Sequence, residues 1–150
     1  MAARIKHQLF FQHPPKAVWE YLTNPKLMEI WLMKNNFQPI AGHEFQFNVN
    51  PVPSLDFDGI VYCKVLEIVP FEKLSYTWKL GPGDGSINLD SVVRWELRPK
   101  DNGTELILDH GDFAIMENTG ILNAMNKGWF DNMQKIAGHL NQSIHDTTNS

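Results

Sequence analysis

The chain has 150 residues, 43% of them hydrophobic and 20% charged, with a formal net charge of −4. This suits one domain with a real core and lies far from disorder. Its lysines and arginines are scattered singly, so no basic cluster points to nucleic acid. No apolar run of about 20 residues and no signal peptide is present, and the one cysteine, Cys63, cannot form an internal disulfide. The expectation is a cytoplasmic protein without membrane insertion.

Arg4 to Gln12 alternate imperfectly and read as a first strand, which His13-Pro14-Pro15 ends because the prolines withhold N–H groups and fix φ. Ala17, Val18, Tyr21 and Leu22 give a short helical face with Trp19 at its side. After a break at Thr23-Asn24-Pro25, a second short helix runs from Lys26 to Trp31 or just beyond. Two such helices fill little volume alone and are expected to cover something.

From Gly42 the period changes to two, with Phe45, Phe47 and Val49 alternating against Glu44, Gln46 and Asn48. Pro51 to Ser54 read as a loop and Phe57 to Val69 as a long strand. Leu74-Tyr76-Trp78-Leu80 against Ser75-Thr77-Lys79 is the cleanest alternation in the chain. Leu89, Ser91, Val93, Trp95 and Leu97 share one face of the next strand. Asp101-Asn102-Gly103 is a tight-turn signal, and Leu106, Leu108 and His110 line one face of the last strand.

Asn118 to Ile144 form the longest periodic segment. Leu122, Met125, Trp129, Met133, Ile136, Leu140 and Ile144 fall on one helical stripe with Ile121 and Ala137 on its margins. Asn118 or Thr119 is placed to cap the start. Gly128 sits mid-helix, where glycine costs roughly 1 kcal/mol relative to alanine. It reads either as a site of close approach or bending, or as a tolerated surface residue.

Strands grouped apart from helices predict an α+β fold with a curved antiparallel sheet of six to seven strands. The long C-terminal helix is the only element able to cover the concave face. The two short helices after strand 1 then close one end, and such a clasp leaves room for a pocket.

Pro15 to Pro25 followed by Trp31, together with Gly59 to Trp78, Gly103-Thr104-Glu105-Leu106 and Gly128-Trp129, resemble the proteins related to the activator of Hsp90 ATPase, within the START-like (SRPBCC, Bet v 1-like) helix-grip superfamily. Asn24 departs from the aspartate frequent there, as does the segment Phe37 to Pro39. The resemblance implies a single helix-grip domain over residues 1–150 with a cavity for an apolar ligand, lipid-, flavonoid- or polyketide-like. It also implies, as the alternative, a chaperone or other protein partner. Fold alone decides neither.

The candidate cavity wall is Phe45, Phe47, Tyr76, Trp78, Val93, Trp95 and Leu108 from the sheet, with Met125, Trp129 and Met133 from the helix. Aromatic and thioether side chains make adaptable pockets, and the same residues also read as solid core. His110 is the inward polar residue, able to orient a ligand oxygen or to bond within the core. Tyr62 and Asn126 are similar candidates. A pairing of His110 with Asp112 or Glu117 is the catalytic alternative, a cyclase or hydrolase using the same cavity. The histidines offer no i, i+4 pair, and no metal or cofactor is expected; a monomer is favoured.

Overall fold

The computed structural model of the chain describes residues 4–116 and 119–148, with 143–148 as backbone alone. β1 (Ile5–Phe11) stops at the prolines, and α1 (Pro15–Thr23) begins on Pro15, whose missing N–H costs nothing in a first turn. Asn24 then serves two helices. Its backbone N–H donates to Glu20 at the end of α1, while its side-chain oxygen accepts from the Lys26 N–H at 3.0 Å to cap α2 (Pro25–Trp31). The departure from aspartate therefore keeps the capping oxygen. The Trp31 indole N–H donates to the Tyr21 carbonyl at 2.7 Å and holds the two helices together.

Six further strands follow: β2 (Lys34–Asn35), β3 (Glu44–Asn48), β4 (Ile60–Val69), β5 (Lys73–Leu80), β6 (Leu89–Lys100) and β7 (Gly103–Met116). All pairs are antiparallel, in the order β1-β7-β6-β5-β4-β3-β2. Register shifts at Val65/Glu67 and Asp90/Val92 mark bulges, which bend strands and raise their twist. The period-two reading places side chains correctly on β6, where Leu89, Ser91, Val93, Trp95 and Leu97 are all buried.

Two departures from the sequence reading matter for the sheet. β2 has only two residues, too few to show a period. Phe57 does not begin a strand; it follows a 3-10 turn at Pro53–Leu55 and bridges back to Val52, so that β4 starts at Ile60. In the β6–β7 hairpin, Lys100 pairs with Gly103, and the positive φ angles fall on Asp101 and Asn102. Gly103 is required for another reason: a Cβ there would lie 2.2 Å from the Phe11 carbonyl oxygen.

α3 (Thr119–Thr148) packs Trp129, Met133, Ile136 and Leu140 against the sheet and the short helices. At its start the expected stripe is rotated by one residue. Ile121 is buried and Leu122 only partly so. Asn118, the other predicted cap, lies outside the described residues.

One polar chain crosses this apolar core. The Trp129 Nε1–H donates to His110 Nδ1 at 3.0 Å, which requires that nitrogen to be unprotonated. The proton of the neutral ring is then on Nε2, 2.8 Å from Ser91 Oγ. Ser91 in turn donates to the Trp78 carbonyl at 2.9 Å. Every donor has an acceptor in one consistent direction, and the chain ties α3 to β7, β6 and β5.

Removing the Trp129 side chain should cost about 3–5 kcal/mol in chemical denaturation. Trp129→Phe, which keeps a ring but leaves His110 Nδ1 unpaired, should cost about 1–3 kcal/mol. Burial holds the His110 pKa down from 6.5 to about 3. Between those values the unfolded chain takes up a proton that the folded chain refuses. The contribution is complete above about pH 6.5 and falls by about 1.4 kcal/mol per unit as the pH drops. Over roughly pH 6.5 to 5 the carboxylates are largely ionised in both states, so the wild type should lose stability more steeply there than His110→Gln. Equal slopes would contradict a neutral, buried ring.

Candidate functional site

The aromatic core is tightly filled on one side of α3 and open on the other. A cavity of about 220 Å³ lies beside the first half of α3 and opens to the outside. Val61 of β4 and Trp78 and Leu80 of β5 form its floor, placed there by the inward phase of their strands. The segment after α2 contributes Leu32 and Met33, and the loop before β4 contributes Val52, Leu55 and Phe57. The remaining wall is helical: Ile121, Ala124, Met125, Gly128, Trp129 and Asn132 recur at steps of three and four.

Among the described residues no charged side chain lines this pocket, and Asn132 brings the one carboxamide or hydroxyl group. That carboxamide has no hydrogen-bond partner among the described residues. The Trp78 Nε1–H is buried and likewise without an acceptor, a state that costs about 1–3 kcal/mol for a buried polar group. Gly128 resolves the two sequence readings by a third. A Cβ built there meets nothing within 4 Å outside the helix, so no close approach of the backbone requires the glycine. The missing side chain widens the pocket instead.

Of the candidate wall residues, Trp78, Met125 and Trp129 line the pocket. The others are packed elsewhere. Phe45 meets Phe47 at 5.5 Å and Tyr76 at 5.3 Å, the latter two filling the sheet's inner face. The Trp95 indole donates to the Tyr76 hydroxyl at 3.0 Å, and Val93, Leu108 and Met133 are buried in the same cluster. His110 is fully buried with both ring nitrogens engaged, in the network that positions Trp129, and does not reach the pocket.

Tyr62 is 40% exposed, because it alternates out of phase with the buried Val61 and Cys63, and its hydroxyl donates to Asp58 at 3.0 Å. Asn126 is exposed and its side-chain oxygen meets His7 Nε2 at 2.9 Å, away from the wall. Asp112 cannot serve His110 as a partner: its carboxylate is engaged by Arg94 and Arg4, and the Arg94 guanidinium above all holds its pKa below the usual range. Glu117 lies outside the described residues. The Cys63 thiol is buried, and burial pushes its pKa up. Among the described residues no group of three or more His, Cys, Asp or Glu is placed to hold a metal, and no helix is long and apolar enough to cross a membrane.

The sequence reading missed the rim. Val52, Leu55 and Phe57 carry a usable signal, since three large apolar residues in a loop need a surface to cover. Asn132 carries none, because a polar residue at the margin of the stripe looks like an ordinary boundary position, and Gly128 stands out as a mid-helix glycine without showing that it faces a pocket.

Comparison with known proteins agrees with this architecture. Residues 12–141 match the family described as activator of Hsp90 ATPase homolog 1-like protein. The crystal structure of protein MLL2253 from Mesorhizobium loti is 32% identical, with a TM-score of 0.79 over 93% of this chain and 98% of that one. The solution structure of BH1534 from Bacillus halodurans is 24% identical, with a TM-score of 0.68 over 91% and 99%. The Aha1 dimer from Colwellia psychrerythraea, at 16% identity, has a TM-score of 0.71 over 90% and 93%. No curated protein matches the chain. With its curved seven-stranded sheet wrapped on a long last helix, the chain belongs to the activator of Hsp90 ATPase homolog 1-like family of START-like, helix-grip proteins.

Proposed function

We propose that the chain acts, as one helix-grip domain and a cytoplasmic monomer, as a binding protein for a hydrophobic or aromatic small molecule. The ligand sits between α3 and the β4–β5 face. The observation that carries this reading is the open, almost wholly apolar pocket whose helical wall is interrupted by Gly128, in a core otherwise closed by aromatic packing. Apolar walls of this kind lose free energy to water and regain it when a matching ligand displaces that water. The two roles of the helical methionines follow from their places. Met125 lines the pocket and Met133 is 2% exposed in the core.

A screen of lipid-, flavonoid- and polyketide-like compounds by chemical-shift perturbation tests the reading. Binding compounds should shift signals of Trp78, Met125 and Trp129 more than those of Tyr62 or Asn126. If no compound of any class perturbs the pocket signals, the reading fails. Met125→Leu should leave the melting temperature near wild type and change the affinity of the best compound several-fold. Met133→Leu should leave that affinity unchanged.

The description of the matched family supports a second reading, a chaperone partner. Hsp90 ATPase turnover measured with and without the protein decides it, and an unchanged rate rejects it.

A further inference from the structure

The pocket's dimensions and chemistry narrow its occupant, an inference that rests on the ligand-binding reading above. An apolar cavity of roughly 150 Å³ takes one benzene ring. The opening here is about 220 Å³, so a two-ring molecule, partly protruding through the mouth, matches it better than a long acyl chain. With no lysine, arginine or histidine on the wall among the described residues, a carboxylate or phosphate would enter without a counter-charge, which is disfavoured in an apolar site.

Gly128 and Asn132 stand one helical turn apart on the same wall. The first leaves open space where a side chain would project. The second offers a carboxamide beside that space with no hydrogen-bond partner among the described residues. The two together favour a molecule that fills the gap at Gly128 and brings a hydrogen-bond acceptor for the Asn132 amide N–H groups. We propose that the pocket selects an uncharged, two-ring-sized aromatic compound bearing a hydrogen-bond acceptor, with Asn132 receiving that acceptor and Gly128 setting the size limit.

Naphthalene, quinoline and 2-naphthoate form the test set: nearly the same ring system with no acceptor, with one neutral acceptor, and with an anionic group. Each is titrated into wild type, Asn132→Leu, Gly128→Ala and Gly128→Leu, with pocket tryptophan shifts reporting the place of binding. Quinoline should lose roughly five- to tenfold in affinity on Asn132→Leu, the worth of one hydrogen bond, while naphthalene changes less than twofold. Gly128→Ala should weaken both rings and Gly128→Leu should abolish both. Both glycine variants should melt at or above the wild-type temperature, since each replaces a helical glycine.

2-Naphthoate should bind at least tenfold more weakly than quinoline. Equal losses of quinoline and naphthalene on Asn132→Leu, or none, would overturn the role of Asn132. Unaltered binding to Gly128→Leu would overturn the size limit, and tight binding of 2-naphthoate would overturn the preference for neutral ligands. If no probe shifts the pocket tryptophans in the wild type while a compound of the wider screen does, the two-ring assignment fails and the binding function stands. If nothing in either set binds, the binding function fails with it.

Discussion

The hydrogen-bond chain from Trp129 through His110 and Ser91 to the Trp78 carbonyl is the constraint on which the rest of the structure depends. It is a polar thread in a core of aromatic and aliphatic side chains, and it joins three adjacent strands to the long last helix. Apolar packing is tolerant of small slides and rotations; directional hydrogen bonds in low dielectric are not. A half-turn slip of α3 would bury an indole N–H and an imidazole nitrogen without partners. The chain therefore fixes which helical residues meet the sheet and which are left beside it.

That fixed register produces the pocket. With Trp129 held against Trp78 at 5.0 Å and against Trp95 at 5.4 Å, its side of the helix is filled. The adjoining side carries Ala124, Gly128 and Asn132, residues too small or too polar to fill the gap to the loop before β4. Leu55 and Phe57 of that loop and Leu32 and Met33 beyond α2 reach toward it without closing it. Solid core and open wall thus lie back to back on one helix. The same tryptophan ends one and begins the other.

Much of the fold was legible because its periods are clean. The alternations on β5 and β6 and the long stripe of α3 each follow from burying one face of a regular element, and their order is enough to predict a curved sheet around a last helix. β2 was not legible, since two residues have no period. The site was legible only in part. Aromatic content marks Trp78 and Trp129, yet it marks Phe45, Phe47, Tyr76 and Trp95 equally, and nothing in a one-dimensional pattern tells a side chain that fills the core from one that borders a void. His110 was correctly seen as inward, but its role depends on Ser91 and Trp129, each 19 residues away in sequence. Gly128 and Asn132 gain meaning only from what the rest of the chain leaves empty around them.

The most direct test of this account is the protonation pattern of the His110 ring, read from the nitrogen chemical shifts of the imidazole in the folded protein as the pH is lowered from 8 to 5. The account predicts a neutral ring throughout, with the proton on Nε2 and Nδ1 remaining the acceptor of the Trp129 indole N–H. A ring that titrates in that range, or one protonated on Nδ1, would contradict the hydrogen-bond chain and with it the register that separates the core from the pocket.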